Sequence, residues 1–399
     1  MVIGIIGGGA SGMAAALAAS QNEAVQVHIF ERQARLGKKL SATGNGRCNL
    51  TNLTPAAYYG TEAAFANPAL TAFDQQKTLA WFESLGLYTV AEENGRVYPY
   101  SDQANSVVDV LRLALSRPNI TVHTGCEIEK ATKTAEGFSL KTAEETFFCD
   151  RLIVACGGIA GTKLGGTMSG YRLLAAFGHK TTRLRPALVQ LTSDYPALPS
   201  LKGVRANAKV EIYRDGSLFS QSTGEVQFTE TGLSGPVIFE ISRDVCEGRG
   251  RWQAVLDMLP DMPQEKLFAM LTARKNTGLS TEDILTGILH NRLGRVVTKA
   301  AGIGICPVSA LSDGEIKSLC CLAKHFSLSL TGTQGMDSAQ VTAGGVYTKD
   351  FDPETMESRL VPGLYACGEV LDIDGKCGGY NLQWAWSSGH LAGERAGNV

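Results

Sequence analysis

The stretch from Val2 to Glu31 limits most strongly what the chain can fold into. Val2–Ile6 is an apolar run suited to a buried parallel strand. Gly7-Gly8-Gly9-Ala10-Ser11-Gly12 follows at once, and then Met13–Ala19, rich in good helix formers. A second apolar strand, Val25–Phe30, ends on Glu31. Strand, glycine turn, helix, strand and acid make a dinucleotide-binding βαβ unit. Gly7 permits the tight turn, Gly9 lets a pyrophosphate approach the backbone, and Gly12 lets the helix pack on the strand. The helix start, with Ala10 and Ser11, offers N–H groups and a positive dipole end to the phosphates. Glu31 stands where a carboxylate accepts hydrogen bonds from the adenosine ribose, with Arg32 beside it.

A chain of 399 residues exceeds one ordinary domain. Its net charge of −2 argues against a broadly basic surface for nucleic acid. No apolar run reaches membrane-spanning length, and the N-terminus enters a strand with no basic leader. A cytoplasmic protein is expected. Ten cysteines occur (Cys48, Cys126, Cys149, Cys156, Cys246, Cys306, Cys320, Cys321, Cys367 and Cys377), none at metal-ligand spacing. Most are expected to be small core residues with free thiols. The six histidines are scattered, so no metal site is expected.

Ser41–Asn52 is dense in glycine, asparagine and small residues, and reads as a loop approached closely by a ligand. Within it Arg47 is the obvious cation for a phosphate or an anionic substrate group. Residues 69–88 predict one amphipathic helix, and Asn105–Ser116 another. Ile120–His123 predicts a strand, and residues 138–148 a hairpin leading into Leu152–Ala155. That strand runs into Cys156-Gly157-Gly158, so Ala155, Gly157 and Gly158 lie at the sheet edge where ligands bind.

From about Pro186 the pattern changes. Residues 208–216 predict antiparallel hairpins, and Gly224–Pro236 a turn-rich segment. Residues 263–330 read as mostly helical, with helices over Gln264–Thr272, Thr281–Leu289 and Asp313–Lys324. A unit of 187–335 is therefore expected as an insertion, its β part at about 187–260 and its helical part at about 261–330. It would divide a dinucleotide-binding domain into 1–186 and 336–399. The α/β signature returns with Ala339–Val346, then Gly363–Asp372. Gly375–Trp386 opens a final helix expected to begin near Asn381.

Four segments resemble the BaiN/RdsA-like flavoprotein family, also called the YhiN or aminoacetone-oxidase-like group. They are Thr43–Asn52 (TGNGRCNLTN), Gly232–Pro236 (GLSGP), Val341–Val346 with Thr355–Ser358 (VTAGGV, TMES), and Gly363–Ser388 (GLYACGEVLDIDGKCGGYNLQWAWSS). The resemblance implies an α/β fold: a Rossmann-like FAD-binding domain of the two-domain flavoprotein type, interrupted by an inserted β-barrel-like plus helical unit. It places the FAD adenosine at Gly7, Gly9, Gly12 and Glu31, with Glu127 and Ile128 bordering the adenine. Lys38, Thr43, Gly44, Gly46, Arg47, Cys48 and Asn49 fall near the pyrophosphate and flavin. Gly368, Glu369, Asp372, Gly378, Gly379, Asn381 and Leu382 match the segment along the ribityl chain and flavin ring. Without a second GxGxxG, NAD(P)H is expected to dock only transiently at the flavin face.

Family members reduce a conjugated C=C in oxidised bile acids, reduce a uracil in ribosomal RNA, or oxidise aminoacetone with O₂. The expected function is that of an FAD-dependent oxidoreductase using NAD(P)H to reduce the activated C=C of a small apolar, steroid-like enone. The alternatives are a ribosomal RNA dihydrouridine synthase, a small-amine oxidase and a non-catalytic flavin redox sensor. The oligomeric state stays open. Catalytic roles fall first on Arg47 and on Cys377, whose neighbour Lys376 favours a thiolate. Gly379 is expected to lack a side chain so that the final helix can reach the flavin edge and stabilise its reduced, anionic form.

Overall fold

A computed structural model describes residues 1–55, 58–247 and 250–398, without the side chains of Asp244, Cys246 and Glu247. Among the ten cysteines Cys246 therefore lies outside the described side chains. The chain divides into two compact units, Met1–Pro186 with Met336–Val399, and Ala187–Gly335.

The first unit is built on a five-stranded parallel sheet. Its spatial order is Leu364–Ala366, Arg151–Val154, Val2–Ile6, Gln26–Glu31 and Ile120–Thr124. Ile3, Ile5, Ile29, Leu152 and Ile153 are fully buried, as expected of strands covered on both faces. Ile6 pairs with both Val154 and Phe30. Gly7, Glu31 and Ala155 consequently leave the sheet along one edge, the carboxyl edge.

The first helix, Ala10–Ala19, buries nine of its ten residues. An element buried all round needs partners on two sides. One is the sheet, and the other is the final helix, Tyr380–Gly397. The two helices meet along a seam of small residues spaced by four, Ser11, Ala15 and Ala19 against Gly389, Gly393 and Gly397. A Cβ at Gly389 or Gly393 would overlap the carbonyl oxygen of Ser11 or Ala15, and one at Gly397 would lie 3.1 Å from that of Ala19. No sequence motif marks this seam, because it pairs residues far apart in the chain.

Several local expectations change. The helix expected over 69–88 is two helices, Asn67–Ala72 and Gln75–Ser84. The break falls where the Asp74 carboxylate accepts the Lys77 N–H at 2.8 Å and starts a new helix. The final helix begins at Tyr380, one residue before the expected start. The hairpin Phe138–Lys141 and Thr146–Cys149 gains a third strand, Lys130–Lys133. Cys48, Cys149, Cys320 and Cys367 are buried free thiols, but Cys126, Cys156, Cys306 and Cys377 are only half-buried and Cys321 is exposed. The core reading of the cysteines therefore holds for four of them.

The second unit contains a closed barrel of six strands: Leu191–Ser193, Gly232–Ser234, Ser217–Thr229, Arg205–Arg214, Trp252–Asp257 and Phe326–Thr333 in spatial order. Most of the segment expected to be turn-rich is strand, since Ser217–Thr229 continues to Thr229 and turns directly into Gly232–Ser234. Phe326–Thr333, expected within the helical part, closes the barrel with alternating burial. The helices Gln264–Ala273, Asn291–Ala300 and Asp313–Lys324 are thus an excursion between two neighbouring strands. Over 281–289 only the 3₁₀ turn Thr281–Asp283 forms, and Gly287, at φ +81°, ends any continuation.

The helix seam gives a direct test. Gly393→Ala gains helix propensity, about 1 kcal/mol, but must push two backbones apart, at about 1–3 kcal/mol or more for overpacking. Net destabilisation is expected in urea unfolding. Gly314→Ala, on an exposed helix start with 3.8 Å of clearance, should be neutral or slightly stabilising. Equal effects at both positions would show that the seam is not tightly packed.

Candidate functional site

The three glycines of the first turn do three different things. Gly7 sits at φ +111°, and a Cβ there would strike the Ala155 carbonyl. A Cβ on Gly12 would overlap the Gly7 carbonyl oxygen, so this glycine lets helix and strand touch. Around Gly9 a Cβ would meet nothing within 4 Å, which leaves an open approach to the backbone. Gly9 is also the N-cap of the first helix, and no side chain caps it. An anion-sized opening at an uncapped helix start fits a pyrophosphate.

Glu31 is fixed at the end of its strand. One carboxylate oxygen accepts the Gly8 N–H at 2.8 Å and the other accepts the Gln33 N–H at 2.7 Å. Each oxygen keeps lone-pair capacity for a ribose hydroxyl. Beside it lies an open cleft walled in part by Phe30, Glu31, Arg32, Glu127, Ile128 and Cys156. Arg32 contributes as a wall, its guanidinium donating to the Gly165 carbonyl at 3.0 Å. Of the residues expected at the adenosine end, Gly7, Glu31, Glu127 and Ile128 line this cleft, and Gly9 and Gly12 do not.

The Ser41–Asn52 loop winds through left-handed backbone at Gly44, Asn45, Gly46 and Cys48. Two of its side chains are engaged within the chain. Arg47 is bonded to the carboxylates of Asp102 and Glu92 and lies 3.9 Å over the Tyr98 ring. Two carboxylates thus pair with its charge in the structure. Its side chain is 40% exposed, and pairs so placed are worth about 0–1 kcal/mol, so the cluster orients the loop more than it stabilises the fold. Cys48 is wholly buried, and burial pushes its thiol up to about 12. It fills the core and presents no side-chain contact to a ligand. Thr43 Oγ1 donates to the Leu40 carbonyl of its own loop, and Lys38 Nζ donates to Gln33. Lys39, which the sequence reading passed over, reaches Glu369 at 2.8 Å.

At the other end of the chain, three residues expected to contact the ligand hold loops in place. Glu369 takes the Thr342 N–H at 2.7 Å as well as Lys39. It packs so close to Gly158 that a Cβ there would lie 2.5 Å from its carboxylate. Asp372, buried, accepts the Thr61 N–H and hydroxyl. The Asn381 carboxamide both accepts from and donates to the Gly375 backbone, at 2.8 Å each. Gly157, at φ +70°, faces open space, Gly368 abuts the Ser11 hydroxyl, and Leu382 packs on the core.

Gly379 needs its missing side chain for the packing of the chain itself. At φ +102° its Cβ would lie 2.5 Å from the Thr51 carbonyl oxygen, so the obstacle is the chain's own backbone. Thr51 is held there by Gln383, a residue the sequence reading passed over. Gln383 is fully buried and accepts from Thr51 Oγ1 at 2.6 Å while its amide nitrogen donates to Phe73, Thr78 and Ser387. Asn52 donates to the Gly378 carbonyl at 2.9 Å, and the Trp386 indole to the Leu50 carbonyl at 3.0 Å. A lone glutamine among tryptophans and alanine was the available signal for this network. Asn49, 8% exposed, has a buried Oδ1 with no hydrogen-bond partner. The open cradle at Gly9 and this orphaned acceptor fit a dinucleotide running from Glu31 towards the final helix.

Two substitutions test the assignments. Glu31→Ala should weaken FAD retention by tenfold or more, on the order of one charge-assisted hydrogen bond, with thermal unfolding still cooperative. Retention equal to the parent would remove Glu31 from the ribose. Cys377 is half-buried directly before Gly378. Cys377→Ser is expected to keep turnover within a few-fold, as for a small residue that packs beside the ring. A loss of a hundredfold or more would instead make the thiol a proton donor or redox group.

The comparisons with known proteins agree with this geometry. The HI0933-like protein Rossmann domain model matches residues 1–395. A 3-dehydro-bile acid delta(4,6)-reductase of Clostridium scindens is 41% identical over 403 aligned residues, covering 99% of this chain and 98% of that protein. A ribosomal RNA dihydrouridine synthase of Escherichia coli is 31% identical over 394 residues, covering 96% and 95%. The crystal structure of a 3-ketosteroid delta1-dehydrogenase from Sterolibacterium denitrificans, in complex with 1,4-androstadiene-3,17-dione, shares the fold with a TM-score of 0.51 over 99% of both chains at 12% identity. The chain belongs to the HI0933-like family of Rossmann-domain proteins, as its BaiN/RdsA-like motifs led us to expect.

Proposed function

We propose that this protein is an FAD-dependent oxidoreductase that uses NAD(P)H to reduce the activated C=C of a small apolar enone of the bile-acid or steroid type. The observation that carries this reading is end-to-end similarity, 41% over 99% of the chain, to a reductase acting on a 3-dehydro-bile acid. The dinucleotide cradle supports the cofactor. Gly9 and the uncapped first helix receive the pyrophosphate, Glu31 the ribose, and the Phe30–Ile128 cleft the adenine.

When bound, FAD supplies the acceptance of a hydride and its delivery to the substrate carbon. The chain's own residues bind and orient. Glu31 and Gly9 fix one end of the cofactor, and the Gln383 network fixes the backbone of Thr51 and Gly379 near the other. The uncapped start of the final helix stabilises negative charge placed against it. Buried Trp384 and Trp386 keep water from the back of this segment.

A cytoplasmic enzyme is in keeping with free thiols and a nicotinamide reductant. No helix among the described residues is long and apolar enough to cross a membrane. An RNA substrate has the support of the 31% identical synthase, which also names a uridine reduction. The net charge of −2 favours the small molecule.

Anaerobic flavin bleaching with NADH and NADPH, followed by reoxidation with a panel of conjugated 3-oxo bile acids, tests the proposal. Reoxidation by an enone, with loss of its conjugated absorbance, is the expected result. Bleached flavin that no enone reoxidises, together with dihydrouridine formed in ribosomal RNA, would overturn the small-molecule reading.

A further inference from the structure

The final helix, eighteen residues long, starts without a cap. Gly379 occupies the N-cap position and offers no side chain. The N–H groups of Tyr380, Asn381 and Leu382 meet no acceptor among the described residues; the first bond of the helix is Gln383 N–H to the Gly379 carbonyl. Next to these donors lies an acceptor. Asn49 is more than nine-tenths buried, and its Oδ1 lies 2.9 Å from where a Gly379 Cβ would stand. That oxygen has no hydrogen-bond partner, whereas the buried Gln383 nearby has partners for both ends of its amide.

A buried acceptor left unpaired is destabilising, and native interiors seldom keep one without a reason. This orphan beside the free helix start calls for an occupant that donates to Oδ1 and accepts from the N–H groups. A phosphate or carboxylate would satisfy the N–H groups but brings no donor for Oδ1. The pyrimidine edge of an isoalloxazine has an N3–H donor directly beside the C2 carbonyl and N1, which accept. We propose that Asn49 Oδ1 accepts the flavin N3–H while the start of the final helix donates to the neighbouring C2 carbonyl and N1. Asn49 would thereby fix which edge of the ring meets the helix. The inference rests on the FAD reading above.

The full-length apoprotein, parent and Asn49→Ala, is titrated with FAD and with FAD methylated at N3. The parent should bind the methylated form at least tenfold more weakly than FAD. Asn49→Ala should bind FAD about tenfold more weakly than the parent, the loss of roughly one buried hydrogen bond, and discriminate the two forms less than threefold. Asn49→Leu, which keeps the volume, should give an apoprotein melting no lower than the parent, because the oxygen it removes has no partner there. A parent that binds both forms equally overturns this pairing and leaves the cofactor reading intact. An Asn49→Leu apoprotein melting well below the parent makes Asn49 structural and overturns it too. A parent that binds neither form overturns the cofactor reading itself.

Discussion

The backbone-to-backbone contact between the first and final helices is the constraint on which the first unit depends. Ser11, Ala15 and Ala19 face Gly389, Gly393 and Gly397 with no side chain between them at the closest points. Interiors pack at crystal-like density, so a seam of this kind tolerates no added atom without movement of a whole helix. The seam ties residues near the beginning of the chain to residues near its end. The parallel pairing of Leu364–Ala366 with Arg151–Val154 ties them a second time, through the sheet. The glycine turn at Gly7–Gly12 and the entry of the final helix at Gly378-Gly379 thus belong to one rigid assembly, although most of the chain separates them.

Polar groups then set the details that packing leaves loose. Gln383 is the centre of a buried network reaching Thr51, Phe73, Thr78 and Ser387, and every partner lies at hydrogen-bond distance. Such a network is specific because any displaced member leaves a buried group unpaired. It fixes the Thr51 carbonyl against Gly379 and so fixes where the final helix starts. Glu31, Glu369, Asp372 and Asn381 use the same device on single loops. Acids and amides in these motifs also hold the chain's own loops in place. Asn49 is the exception among the buried amides of this region, and for that reason it is informative.

The glycine turn and the placing of Glu31 at the strand end were legible in the sequence because they are local. Gly7, Gly9, Gly12 and Glu31 act within one βαβ unit, and their roles follow from φ angles and strand order. The pairing of Arg47 was not legible, because its partners Asp102 and Glu92 lie about fifty residues away and no spacing rule connects them. The helix expected over 69–88 broke at Asp74, where a side-chain cap outcompeted a continuous apolar period. Phe326–Thr333 was absorbed into a helical stretch because its strand character depends on neighbours at Trp252–Asp257, far off in sequence.

By itself the sequence determined the dinucleotide-binding unit, the return of the C-terminal segment to it and the family to which the chain belongs. The first two are written in glycine spacing and apolar period, which act over a few residues, and the third in the resemblance of four motif segments. Only the tertiary structure decided which charges are free and which are spent on one another, which helix backbones touch, and which buried amide lacks a partner. These are properties of pairs distant along the chain, and a buried polar group is satisfied or orphaned only by what folding brings beside it.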